Sequence, residues 1–421
     1  MINVRRIARP AVTATVFAAA IGLSLLPEFA GVGQVAHAQE AVRGELGKPL
    51  QQAQQLIRAQ RYKEALAKVR EADRLGAKNP SEQLMLDRMR GAAAQGAGDN
   101  ETAARSFEAA LKSGRMPGGE SLSLVQALAV LYYRAGDYPK AQTWLQRYLK
   151  DGGSDPQMRA LTSQIYFQNG DFSRAQKELQ NAIAADERAG RRPSEESLQL
   201  LLNCALKLND KAAYLATLEK LVTAYPKKQY WADLVGRTAG KPGFADRLQL
   251  DVYRLRLASG LLSGAADYME MSQLALQAGF AAEGKKVVDL GFKAGVLGAG
   301  ADAARQQRLL ALADKNAAAE QSGVAAAEAA ANADKDGTAQ INLGYGLIAA
   351  GQAAKGTALI DQGLAKGNLK RPDEARLHAG EAYAMAGKKE LALKTFKSVR
   401  GTDGTADLAR LWAIQTATPM N

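Results

Sequence analysis

The chain of 421 residues contains one cysteine and two histidines. A single cysteine, Cys204, allows no internal disulfide, so stability must come from packing. It sits in the apolar stretch "LLLNCALKL" with no flanking motif, which reads as a small buried hydrophobe. One histidine, His37, lies near the amino terminus, leaving His378 as the only candidate for histidine chemistry in the body of the chain. That removes any Ser-His-Asp or Cys-His arrangement not built on His378, and it removes histidine-rich metal sites. His378 itself, in "ARLHAGEAYAM", reads as a partly exposed packing residue. No GxxxxGK[ST] phosphate loop occurs, and no GxGxxG follows a strand pattern. "GAGAD" (298–302) has the glycines but no strand before it, and reads as a loop. No cofactor or metal is therefore expected. Aromatics are scarce, at 6%. Together with abundant alanine this favours closely packed helices over a β-sandwich.

Long apolar runs are confined to the start. "MINVRRIARP" is basic, "AVTATVFAAAIGLSLL" is an apolar core, and "AHAQ" (36–39) offers small residues where a signal peptidase reads. The expectation is a cleaved signal peptide, 1–38, with cleavage after Ala38 and a periplasmic mature protein. The alternative is an uncleaved anchor. Arg5-Arg6 hints at twin-arginine export, but "IAR" after it lacks the apolar residues that route favours. After cleavage no transmembrane span remains, so the mature chain is not expected to be an integral membrane protein. Loss of Arg5, Arg6, Arg9 and Glu28 lowers the net charge from +12 to about +10. That suits an anionic surface, or simply solvated helix faces. There is no long basic run and the chain is expected to be exported, so nucleic acid is not expected as a partner.

One pattern dominates what is present. "RAGDYPKAQTWLQRYL" (134–149) and "QNGDFSRAQKELQNAI" (168–183) align on Gly-Asp, with Gly136 and Gly170 34 residues apart. Each has an aromatic (Tyr138, Phe172), an alanine (Ala141, Ala175), a leucine (Leu145, Leu179) and a last position (Tyr148, Ala182). The final three are spaced i, i+4, i+7, one face of a helix. Glycine ends the preceding helix in a left-handed conformation, and Asp137 and Asp171 are placed to cap the next. The pattern recurs with turn positions at 60, 98, 136, 170, 209, 279, 351 and 387. The two long gaps each hold two periods, filled by degenerate units at 231–255 and 308–330.

The pattern resembles the tetratricopeptide repeat, whose period is about 34 residues. That repeat wants small residues where its helices cross. Here those sites read Gly91, Ala103, Ala110; Ser163, Ala175, Ala182; and Gly344, Gly356, Gly363. Pro226 falls at the usual closing proline, while the unit at 196–226 departs from the pattern, with Leu202, Tyr214 and Leu221 at the small sites and a looser or shifted packing expected. The resemblance implies an all-α chain, a right-handed α-solenoid of about ten helix-turn-helix repeats over residues 45–416. The expected division is an amino-terminal superhelix at 39–226, a degenerate repeat or joint at 227–265, and a carboxy-terminal superhelix at 266–421. The last stretch, "TADLARLWAIQ" (405–415), would be a capping helix.

The resemblance also implies a binding groove on the first helix of each pair. In that register the groove residues are Arg88, Gln126, Tyr133, Arg134, Gln164, Phe167, Gln199, Asn203, Met269, Gln273, Asn342 and Tyr345. Amides suit an extended polypeptide, and aromatics and arginine are the usual anchors. The alternative for Tyr133 and Phe167 is packing between helices. The family's lysine–asparagine carboxylate clamp is absent at the matching sites. The expected function is a non-enzymatic periplasmic scaffold that binds a protein or peptide in envelope assembly or secretion. A second reading is charge-driven binding of an anionic glycan or membrane surface. A third is a peptidoglycan-active lytic enzyme, for which "GGES" (118–121) and "SEES" (194–197) supply Glu-Ser pairs. Both pairs fall where a first helical turn favours glutamate in any case.

Overall fold

The computed structural model describes residues 43–419 apart from Pro117. The signal-peptide expectation lies outside the described residues. Among those residues the secondary structure is helical, with no strand. Two compact units are formed, one up to Ala175 and one from Gln176 onward.

In the first unit α1 (Gly44–Arg58) is followed by α2 (Tyr62–Asp73), α3 (Pro80–Ala97) by α4 (Asn100–Lys112), and α5 (Gly118–Arg134) by α6 (Tyr138–Lys150). Next comes α7 (Pro156–Gln168), and α8 (Phe172–Arg188) spans the boundary. The second unit continues with α9 (Glu195–Lys207), α10 (Lys211–Ala224), α11 (Lys228–Ala239), α12 (Gln249–Ala258), α13 (Ala265–Gln277) and α14 (Ala281–Lys293). It ends with α15 (Ala303–Ala333), α16 (Thr338–Ala349), α17 (Ala353–Lys366), α18 (Pro372–Met385), α19 (Lys389–Phe396) and α20 (Thr405–Ala417).

All eight expected turn positions have positive φ, from 50-odd degrees at Asn209 and Gln60 to 87° at Gly351. At each, the following backbone N–H bonds the carbonyl five residues earlier, as Asp137 N does with Tyr132 O at 3.0 Å and Lys388 N with Tyr383 O at 2.8 Å. This satisfies a carbonyl the helix end would orphan, and it fixes the angle at which the next helix leaves. Asp137 and Asp171 then cap as expected, accepting from Lys140 N and Arg174 N at 3.2 Å each.

The small sites do what close crossing demands. A Cβ on Gly356 would lie 2.4 Å from the Gly344 carbonyl oxygen, and one on Gly363 would lie 2.6 Å from that of Gly337. The α16–α17 hairpin therefore meets backbone to backbone. A Cβ on Gly91 would instead strike the Phe107 ring at 2.3 Å. Ala103, Ala110, Ser163 and Ala175 are buried too. Ala182 is exposed, and Ile183 takes the third buried position on α8. In the unit at 196–226 the register does shift: Leu202 is half-buried, while Leu201, Cys204 and Ala205 are buried. Burial pushes the Cys204 thiol up to about 11.

Two stretches differ from expectation in form. Residues 308–330 are not a helix-turn-helix but part of α15, one helix of 31 residues. Alanine is the best helix former, and a lone glycine, Gly323, costs only about 1 kcal/mol in a helix. With no glycine at a turn offset and no proline, nothing breaks the helix. The stretch 231–255 is helix, irregular link and helix, with a short 3-10 turn at Asp246–Leu248. Finally, α20 caps the last pair, its Trp412 stacked on Phe396 at 6.2 Å. It also packs on α10, α11 and α12. Arg410 meets Glu219 at 2.9 Å, Lys241 meets Asp407 at 2.9 Å, and Gln415 donates to the Ala258 carbonyl at 2.7 Å. The second unit is thus closed upon itself.

Candidate functional site

In the first unit the first helices α3, α5 and α7 stand side by side, bridged by side chains. Arg88 on α3 pairs with Glu120 on α5 at 2.6 Å. Gln126 on α5 donates to Asp155, the residue capping α7, at 2.9 Å. The Tyr133 hydroxyl donates to Gln164 on α7 at 3.1 Å, and burial raises its pKa. Five of the twelve expected groove residues are thus gathered into one polar seam or stand in it: Arg88, Gln126, Tyr133, Gln164 and, exposed at the end of α5, Arg134. Phe167 is half-buried, edge-on to Phe172 at 5.2 Å, and Tyr133 lies 5.9 Å from Tyr138. Both aromatics therefore pack on the residue that opens the next helix while keeping a face outside. Glu120 sits in the first turn of α5, as the helix dipole favours, and serves as the partner of Arg88.

The second unit repeats the motif once. Gln199 on α9 is exposed and donates to the Tyr230 hydroxyl at 2.6 Å; that hydroxyl donates to Glu195 at 2.5 Å, and Lys227 pairs with Glu195 at 2.7 Å. Asn203 and Asn342 are exposed and Gln273 is half-buried. Met269 (8% exposed) and Tyr345 (1%) lie in the interior, so neither can touch a partner. These two are corrected: both are packing residues, Tyr345 because its ring is needed inside the closed unit.

Comparison with known families brings the sequence pattern and the geometry together. The family described as tetratricopeptide repeat matches residues 94–165, from the end of α3 to α7. Residues 94–165 are tetratricopeptide repeats. The repeat fold is a scaffold for protein interaction, and the matched residues carry most of the polar seam. Comparison with curated proteins returns no matching sequence. Among solved structures, the chain is similar to a tetratricopeptide repeat protein from Parabacteroides merdae at 12% identity, covering 79% of this chain and 99% of that one, with a TM-score of 0.29. Yeast Tom70 is similar at 11% identity, covering 88% and 95%, with a TM-score of 0.25. The TPR2AB domain of yeast Sti1, in its pHSP90 complex, is similar at 15% identity, covering 64% and 98%, with a TM-score of 0.24.

The chain also holds a charged centre that the sequence reading missed. Arg254 on α12 is 3% exposed. It binds Glu283 through two bonds, Nε–Oε1 at 2.9 Å and Nη2–Oε2 at 2.8 Å, and Asp251 at 2.8 Å. Its plane lies over the Tyr345 ring at 4.1 Å and the Phe280 ring at 4.8 Å. His378 on α18 approaches Asp251 at 3.0 Å, and the Tyr345 hydroxyl donates to Glu283 at 3.1 Å. His378 is therefore a member of this centre rather than a simple packing residue. Burial opposes ionisation of Asp251, but His378 and Arg254 hold its pKa below the ordinary value. Glu381 is 3.5 Å from Arg254; burial and the nearby Asp251 charge push its pKa well up, favouring the neutral acid. Arg254 occupies the middle, where a cation would otherwise be needed. The signal was present in sequence: "DVYR" and "HAGE" each place opposite polar partners three apart on a helix.

Proposed function

We propose that this chain is a non-catalytic scaffold that binds an extended segment of a protein partner along the face of α3, α5 and α7. The polar seam carries the reading. Arg88 is held by Glu120, Gln126 by Asp155, and Tyr133 and Gln164 by each other, each pair reaching from one helix to the next. Such pre-ordering lowers the entropy lost on binding. Arg134 and the open face of Phe167 supply an exposed cation and an apolar anchor beside the seam. The basic start, apolar core and "AHAQ" site support export to a periplasm, with a role in envelope assembly or secretion.

The test is a cross-linked pull-down from the native envelope. The bait is the mature chain, beside a Tyr133→Ala, Arg134→Glu, Phe167→Ala variant of matched helicity. A protein captured by the first bait and lost with the second is the expected result. Equal recovery by both, stripped by moderate salt, would replace this reading with charge-driven binding to an anionic glycan or membrane surface. Separately, release of peptidoglycan fragments by the purified chain would establish a lytic enzyme.

A further inference from the structure

The second unit contains one helix fewer than its repeat period provides. Between the turns at Gly279 and Gly351 there is room for a helix pair, and α15 stands there alone. Its length is poorly covered: between Ala313 and Ala331 no residue of α15 is fully buried. Alanine fills much of that span, and small side chains leave space. The result is a cavity of about 430 Å³ between α14, α15 and α16, lined by apolar groups including Leu290, Ala317, Val324, Leu343 and Leu347. That volume is in the range of true ligand sites. At its edge Glu320 accepts from Ala282 N at 2.7 Å, which ties that carboxylate to the start of α14.

The rim has a definite sign and spacing. Lys286, Leu290 and Lys293 fall at i, i+4 and i+7 along α14, on one face of the helix, and all three are exposed and border the cavity. Lys285 is engaged by Asp289 at 3.0 Å and Asp314 at 2.5 Å. Lys286 and Lys293 make no ion pair among the described residues. Two unpaired cations thus stand roughly 10 Å apart along the helix, flanking an exposed leucine.

We propose that this cavity receives an acidic amphipathic helix from a protein partner, which seats a bulky apolar side chain against Leu290 and sets one carboxylate over Lys286 and another over Lys293. Carboxylates about seven residues apart on the partner, with the apolar anchor between them, match the lysine spacing. The partner helix takes the place of the missing helix and covers the open side of α15. This site is separate from the seam on α3, α5 and α7, and does not depend on that reading.

The experiment uses the mature chain and a short blocked, fluorescently labelled, alanine-rich peptide. The peptide carries two glutamates seven positions apart with a phenylalanine between them, and its twin has lysine for glutamate. Fluorescence anisotropy is measured on the wild type, on a Lys286→Glu, Lys293→Glu variant, and on Ala317→Phe, which fills the cavity from α15. The acidic peptide should bind the wild type and lose roughly tenfold or more in affinity with each variant. The lysine twin should bind only the charge-reversed variant. The Tyr133→Ala, Arg134→Glu, Phe167→Ala chain should bind the acidic peptide normally. If Ala317→Phe does not fold, the exposed lysine pair decides alone. Equal binding to wild type and variants, or no binding of the acidic peptide to wild type, overturns the proposal. So does binding of dodecanoate, but not peptide, that Ala317→Phe abolishes; the cavity would then be a site for lipid anions.

Discussion

The two units use one repeat in opposite ways. In the first, each helix pair packs on its neighbours through alanine, leucine and aromatic side chains, and its two buried carboxylates, Glu82 and Asp87, each pair with an arginine that reaches solvent, Arg43 and Arg90. In the second, α20 returns to α10, α11 and α12, and an arginine, two glutamates and an aspartate are shut inside. A stack of neighbours gains stability piece by piece. A closed unit gains it together, because its buried charges are tolerable only when every partner is in place. The comparison teaches that repeat phase fixes local hairpins, while closure is decided by a few side chains outside the repeat.

The strongest way to break this contrast is Arg254→Met. Glu283 and Asp251 would be left buried without their cation, a loss of about 3–5 kcal/mol. Hydrogen exchange should show α12, α14, α18 and α20 opening while α3 to α6 keep their protection. Uniform loosening of both units would refute separate cooperativity.

The next test places the same methyl group in each unit. Gly356→Ala drives a Cβ into a carbonyl oxygen that cannot move aside, at a cost of about 3 kcal/mol. Gly91→Ala meets the Phe107 ring, which can turn, and should cost about half as much by thermal unfolding.

Acid should find the first unit's edge. Arg43 clamps Glu82 through side-chain bonds at 2.9 and 3.0 Å and a backbone bond at 3.0 Å, bringing the Glu82 pKa from 4.5 to about 2. A depressed carboxylate stabilises the fold above its unfolded value. That contribution should fade as pH falls from about 4.5 through about 2, and Glu82→Gln should flatten this part of the stability profile.

The smallest change is Gln60→Gly. Gln60 is forced to φ 58° at a turn where six of its seven counterparts are glycine. Relief of that strain should stabilise the first unit by roughly 0.5–1 kcal/mol, read as a raised melting temperature.

Turns and small contact sites were legible because each follows from one local demand: positive φ at Gly136, a missing Cβ at Gly344. Ala182 misled because Ile183, four residues beyond the buried Leu179, lies on the same helical face and buries more apolar area. The continuity of α15 was hidden because alanine satisfies a close helix crossing and an uninterrupted helix equally well. Tyr345 was assigned outward by register, but closure of the second unit brings Arg254 and Glu283 to its ring and hydroxyl. No period in the sequence encodes that meeting, since residues 254 and 381 are more than three repeats apart. The seam was half legible. The residues were found, but their bonds across neighbouring helices, to Glu120, to Asp155 and between Tyr133 and Gln164, were not.

The return of α20 sets a clock on synthesis. Pairs α1–α2 to α5–α6 need only neighbours close in sequence, so each can form as it leaves the ribosome. The second unit must wait. Arg410 finds Glu219 across 191 residues, and until Thr405–Ala417 has been made, α10, α11 and α12 lack a partner for one side. For that interval the middle of the chain is apolar surface without cover. A chaperone or export factor that recognises such surface would find its longest-lived target here, between the birth of α10 and the release of the last helix.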